Sequence, residues 1–321
     1  MICSMCTVEG HASTSPARIP LDGARCQGSL SSSFKIPTSV GFPVSFGWQS
    51  CQTADIGRKF HRQRCLRSLL VMELFDNLLD DETLIRQPET PVAAVVAQHC
   101  ELISAYPGLL ATLVVPDRQL TEVARQVPPG ASVPVSVITS AGAGGLLALA
   151  RHGPAGIDIT SVEPTLRDLD DLAGSAARVV SAAAELGSDV TVLIELPYAP
   201  GWESAVEVIE AAGLYGKITT SRAEPRQIVE QLSILIEADL PFKISSSVGC
   251  DWLALLTAVE ALVAGASLED AVELLELDHH DQVRTGVAGW DQLTQSRVRR
   301  RVRRLGTDQV PAVISDLTTY G

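Results

Sequence analysis

Long hydrophobic runs are missing from these 321 residues: the longest predominantly apolar stretches, such as Leu109 to Val115, fall far short of the roughly 20 residues that span a bilayer. Positive charge is also short, with 25 Lys and Arg against 38 Asp and Glu, a formal charge of −13. That balance argues against a nucleic-acid or anionic membrane surface as the main business of the fold. Aromatics make up 4% of the chain, and none interleaves the arginines between Arg297 and Arg304, as single-stranded nucleic acid binding would want. A chain disordered throughout is excluded in turn by a hydrophobic content of 46%.

These averages divide at Met72. Residues 1–71 hold eight basic and three acidic residues, a charge of +5, which leaves −18 for the rest. Five of the seven cysteines precede the division. Only Cys100 and Cys250 follow it, which implies no disulfide framework and a reducing, cytoplasmic setting. The first segment mixes Ser, Gly and Pro without period and is expected to be disordered. Its Arg-rich, Ser-rich composition matches a transit peptide. An extension upstream of a natural start at Met72, from a misassigned initiation codon, is the preferred reading. Cys3 and Cys6 form a C-x-x-C with no second pair, so neither zinc nor redox chemistry is implied there.

Residues 72–321 are expected to form one domain. A helical preface, 72–106, contains Thr90 and Pro91 as N-cap and first-turn residue. Strand patterns then recur at Leu110 to Val115, Val133 to Thr139, Gly156 to Val162, Val190 to Leu196, Tyr215 to Thr220 and Pro241 to Ser246. Helical patterns separate them, with Gly187 and Gly213 placed to turn left-handed after two of the helices. Six strand–helix units imply a parallel sheet, since parallel neighbours need a crossover. Short connections and the absence of a domain break favour a (β/α)8 TIM-like barrel with a degenerate last quarter. Strands seven and eight are sought near Glu276 to His279 and Leu305 to Asp308, with a basic helix at Arg297 to Leu305. The turn Gly142-Ala143-Gly144-Gly145 lacks the third glycine of a dinucleotide fingerprint, where Leu147 stands. Backbone N–H groups near Gly144 could still hold an anion.

Alternation along the strands sends charges inward. With Ile157 and Ile159 facing helices, Asp158 and Thr160 face the interior. The same logic turns Glu195, Lys217 with Thr219, and Lys243 with Ser245 inward. Residue usage sharpens the point. Of 17 basic residues after Met72, 15 are arginines, and the two lysines occupy matching positions in adjacent strands. Arginine cannot readily lose its proton, whereas a buried lysine beside another cation can become a base or a Schiff-base nucleophile. Lys243 is thus the candidate nucleophile, Lys217 the group that lowers its pKa, and Glu195 or Asp158 the proton carriers. Thr219, Ser245 and Glu163, the last in the loop after the third strand pattern, are candidate substrate contacts. A neutral ion-pair network filling the interior is the competing explanation.

No metal site is implied. Two ammonium groups would oppose a cation held by Asp158, Glu163 and Glu195, and the adjacent His279 and His280 lack ligand spacing. The arginines of Arg297 to Arg304 are expected to bridge to the acidic body of the fold.

Several segments, Met72-Glu73-Leu74-Phe75, Val114-Val115-Pro116-Asp117-Arg118, Ile194-Glu195-Leu196-Pro197, Gly216-Lys217-Ile218-Thr219-Thr220 and Pro241-Phe242-Lys243, resemble a family of uncharacterised actinobacterial proteins with a barrel-like pattern. The chain departs from it after Lys243, where Ser245-Ser246-Ser247-Val248-Gly249-Cys250 replaces a glycine and paired histidines. A lysine on the sixth strand also looks like the Schiff-base position of class I aldolase barrels. The expectation is a cofactor-independent lyase or aldolase acting on a small anionic or carbonyl substrate, without nucleic-acid or membrane partners. The alternative is a noncatalytic barrel that binds a small anion or a protein.

Overall fold

A computed structural model describes residues 73–318, apart from 129, 153–156, 222, 247–251 and 277–279. The readings made on residues 1–71, Met72, residues 247–250 of the stretch after Lys243, and His279 lie outside the described residues, as does the side chain of His280.

Eight parallel strands close into a barrel in chain order, each hydrogen-bonded to the next and the last to the first. The barrel begins inside the expected helical preface. Strand β1 is Leu79–Asp81, followed by a single helical turn, α1 (Thr83–Arg86), and the longer α2 (Val92–Ala105). The α2 helix starts later than Thr90 and Pro91 imply, since Pro91 is itself the N-cap residue. The repeating units follow as β2 (Leu110–Pro116), α3 (Leu120–Gln126), β3 (Pro134–Thr139), α4 (Ala143–His152), β4 (Asp158–Pro164), α5 (Leu172–Ala183), β5 (Thr191–Glu195), α6 (Trp202–Ala211), β6 (Tyr215–Thr219), α7 (Pro225–Glu237) and β7 (Phe242–Ser245). Four helices then intervene: α8 (Trp252–Val263), α9 (Leu268–Glu276), α10 (His280–Ala288) and α11 (Gln292–Arg301). The chain closes with β8 (Val302–Thr307) and α12 (Val310–Thr318).

The six strand patterns are therefore β2 to β7, and every ordinal shifts by one. Glu276 belongs to α9 rather than to a strand, and the basic helix stops at Arg301, where β8 begins. The last quarter is closed by a full strand, with the extra helices inserted ahead of it.

Residues facing outward from the barrel build the apolar core. Val135, Val137, Val162, Ile194, Ile218 and Ile244 are buried, in one cluster with Val179, Ile209, Leu232, Leu235 and Leu256 from the surrounding helices. Sequence punctuation works where φ demands it. Gly213 takes φ +66° after α6, whereas Gly187 is not left-handed because α5 has already stopped at Ala183. Asp171 caps α5 by accepting from the Gly174 N–H at 2.8 Å. The arginine run does bridge to the acidic body: Arg297 meets Glu260, and Arg300 and Arg301 meet Asp239. Among the described residues no helix is long and apolar enough to cross a membrane.

Candidate active site

The inside of the barrel is ionic, and one inserted residue decides which acid it contains. Strand β4 pairs Ile159 with Val135 and Ser161 with Ser136, so Thr160 is an extra residue, a bulge. Beyond a bulge the side-chain alternation changes phase. Ser161 and Glu163 consequently turn inward, while Asp158 lies exposed at the start of the strand. The expectation that Asp158 joins the interior group is thus corrected. Glu163, expected in a loop, lies within β4 and is fully buried.

Glu163 is the hub. Its Oε1 stands 2.8 Å from Lys243 Nζ and accepts from Ser136 Oγ at 2.5 Å, while its Oε2 stands 2.8 Å from Lys217 Nζ. The two lysines are register partners on β7 and β6, as their usage implied. Lys243 is fully buried, and its Nζ meets three carboxylates: Glu163, Asp80 at 2.8 Å and Glu82 at 3.3 Å. Three N–H donors thereby face three acids. Lys217 meets two, Glu163 and, at 3.6 Å, Glu195.

Both ends of this group are closed by arginines. Arg304 of β8 comes within 3.6 Å of Asp80 Oδ1 and also donates to the carbonyl of Asn77, which precedes β1. At the opposite end Arg86 donates from Nε to Glu82 at 2.9 Å, from Nη1 to Ser221 Oγ at 2.8 Å and from Nη2 to Ser245 Oγ at 2.7 Å. Ser245 in turn lies 2.6 and 2.8 Å from the Glu82 oxygens and donates to that carboxylate. Asp80, Glu82, Glu163 and Glu195 are thus matched by Lys217, Lys243, Arg86 and Arg304.

This pairing sets the charge states. Burial alone would push the Glu163 carboxyl up, but the ammonium groups of Lys217 and Lys243 outweigh it and hold the carboxyl far below its ordinary range. Burial favours loss of the Lys243 proton, yet Asp80, Glu163 and Glu82 reverse this and leave it well above an ordinary lysine. Lys217 is raised as well, because Glu163, Glu195 and Glu82 overcome its burial, while repulsion from Lys243 is the smallest influence named. The expectation that Lys217 depresses the pKa of Lys243 is therefore corrected: acids separate and surround the two cations.

A pH profile follows from these signs. Glu163 contributes stability that is complete above its ordinary value of 4.5 and is lost as pH falls toward its folded value. Lys243 contributes stability that is complete below its ordinary value of 10.5 and is lost as pH rises toward its folded value. Urea unfolding measured across pH should show a broad neutral plateau with a decline at each end.

Above the ion pairs the barrel opens. Glu195, the last residue of β5, has a side chain 25% exposed and accepts from Thr165 Oγ1 at 2.8 Å and Thr219 Oγ1 at 3.0 Å. Its carboxyl lies below the usual range because Lys217, Thr165 and Thr219 override the upward push of burial. It borders an open cavity of about 280 Å³, also lined by Thr219, Ser221, Tyr198, Gln227 and Gln231. These come from the ends of β5 and β6, the loops beyond them and α7, at the C-terminal face where barrels of this type place their chemistry.

Of the residues singled out from sequence, Glu163, Glu195, Lys217, Lys243, Thr219 and Ser245 are brought together. Gly144 is not: it is exposed in the first turn of α4, where a Cβ would meet nothing within 4 Å. The left-handed residue of that turn is Gly142, with φ +54°. Sequence reasoning missed Asp80, Glu82, Arg86 and Arg304. The acidic run Asp80-Asp81-Glu82 is the signal that could have found the first two. Three carboxylates converge on an ammonium at Lys243, which fills the place a cation would need. No family model matches the chain, and no curated protein matches it.

Proposed function

We propose that the C-terminal mouth of the barrel binds a small carbonyl acid and moves a proton beside its carbonyl, the step shared by lyases and aldolases, with Glu195 as the base. The observation that carries this reading is the position of Glu195. It is ionised, borders the open cavity, and is backed by the ammonium of Lys217. A ligand that displaces water from the cavity would raise the proton affinity of Glu195, while Lys217 and the two threonines hold its orientation. Lys243, saturated by three carboxylates, serves the architecture in this scheme. The resemblance to uncharacterised barrel-like proteins supplies no reaction and leaves the chemistry to the site.

The reading predicts exchange of the methyl protons of pyruvate with deuterium oxide, followed by NMR, faster than in buffer alone. Glu195→Gln should slow it by at least about 100-fold, an ordinary loss for a general base. A second reading keeps a lysine nucleophile. It draws support from Lys217, which meets two carboxylates rather than three and stands on the true sixth strand, the aldolase position. Borohydride reduction in the presence of pyruvate separates the two, because only an amine route leaves a mass adduct on Lys217. Ligand-induced melting shifts with neither exchange nor adduct would indicate the noncatalytic barrel.

A further inference from the structure

The arginines around the start of β8 divide into two groups. Arg300 and Arg301 share Asp239, whereas Arg299 and Arg303 have no carboxylate partner among the described residues, although the body carries a charge of −18. Arg299 donates from Nη1 to the carbonyls of Val302 at 2.8 Å and Arg303 at 3.0 Å, and from Nη2 to that of Asp76 at 3.0 Å. Arg304 brings its own Nη1 to the same Arg303 oxygen, at 3.2 Å. Two guanidinium groups therefore stand side by side on one neutral acceptor, which satisfies N–H groups without cancelling charge.

A bulge supplies the third cation. Val302 pairs with Phe242 and Arg304 with Lys243, so Arg303 is the extra residue of β8. Its exposed guanidinium lies 5.7 Å from the centre of the Tyr215 ring, at the start of β6 and two residues before Lys217, hence on the inward side of that strand. Arg303 thus reaches the N-terminal opening that Arg304 closes. The crowding registers on Arg299, whose guanidinium is lowered to about 10 by burial first and then by Arg304 and Arg303, against a smaller upward push from Asp76. Donors remain available: Arg303 makes no hydrogen bond among the described residues, and the Arg304 side chain is 28% exposed.

The geometry points to a phosphate-binding site at the N-terminal rim of the barrel, with Arg303 and Arg304 as the contacts and Arg299 behind them. A phosphate group offers several acceptor oxygens and up to two negative charges, which suits paired guanidinium forks better than a single carboxylate does. Free phosphate and a phosphoester share this chemistry. The site lies at the opposite face from Glu195 and is independent of the chemistry at the mouth.

Melting of the full chain in sodium phosphate, against sodium chloride of equal ionic strength, is the first test. Phosphate should raise the midpoint by at least about 2 °C more than chloride. In calorimetric titration with inorganic phosphate, Arg303→Gln should weaken binding at least about tenfold, while Arg300→Gln, whose partner is Asp239, should leave it unchanged. Phenylglyoxal labelling read by mass spectrometry needs no variant: phosphate should protect Arg303 and Arg304 and leave Arg297 open to reaction. No shift beyond that of chloride, affinity that survives Arg303→Gln, or labelling of Arg303 that ignores phosphate overturns the inference. Tighter binding of glycerol 3-phosphate than of inorganic phosphate marks the guest as a phosphoester, and equal or weaker binding marks it as the free ion.

Discussion

Glu163→Leu should cost the fold about 3–5 kcal/mol, the usual loss when one partner of a buried ion pair is removed. A side chain of similar bulk fills the space, so the loss is electrostatic rather than a cavity effect. Lys217 loses its 2.8 Å partner and keeps Glu195 at 3.6 Å, while Lys243 keeps Asp80 and Glu82. The net result is an extra positive charge in a region sealed from water. With domains stable by roughly 5–15 kcal/mol, such a loss consumes a large part of the margin. The guanidinium unfolding midpoint at neutral pH measures it. A change below about 1 kcal/mol would mean that water reaches the cluster and screens its charges.

Lys243→Met reverses the sign of the problem. Asp80, Glu82 and Glu163 would then share the space around a missing ammonium, leaving Glu163 with Lys217, Glu82 with Arg86 and Asp80 with the more distant Arg304. The expected loss at neutral pH is again about 3–5 kcal/mol. Its pH dependence distinguishes it. Crowded buried carboxyls bind protons more tightly folded than unfolded, so this variant should gain stability as pH falls from neutral toward 4, where the parent only holds or loses it. Parallel urea titrations at several pH values settle the matter: curves that stay parallel for parent and variant would sink the argument. Lys217→Met should cost less, because one of the acids it leaves, Glu195, reaches the cavity and can be solvated.

Strands β2 to β7 could be read because β-branched runs bounded by glycine, proline and helical patterns are a strong local signal. The lysine pair could be read from usage alone, since two lysines among 17 basic residues at matching strand positions leave little room for chance. Strand β1 is different. It is three residues long, two of them aspartates, and it owes its extended form to partners on both sides, β2 and β8, which no local window contains. Strand β8 continues directly from α11 with no glycine or proline between, so Arg303 and Arg304 look like a helix tail until the sheet claims them. Asp158 and Glu163 were exchanged for a third reason. A period of two assumes an unbroken strand, and the extra residue at Thr160 becomes visible only in register with β3. Each failure concerns a non-local pairing: the first two hid Asp80 and Arg304 from the site, and the third set Asp158 in the interior and Glu163 in a loop.

The seam at which the barrel closes has a consequence for assembly. Strands β2 to β7 carry Glu163, Glu195, Lys217 and Lys243, which balance among themselves. The segments that complete the ring contribute Asp80, Glu82 and Arg86 from one end of the domain and Arg304 from the other, and these balance too. Joining β8 to β1 therefore adds no net charge to the interior. Closing the ring changes how many partners each ion has and leaves the net charge alone, so ionic strength should have little hold on the stability that the closing segments contribute.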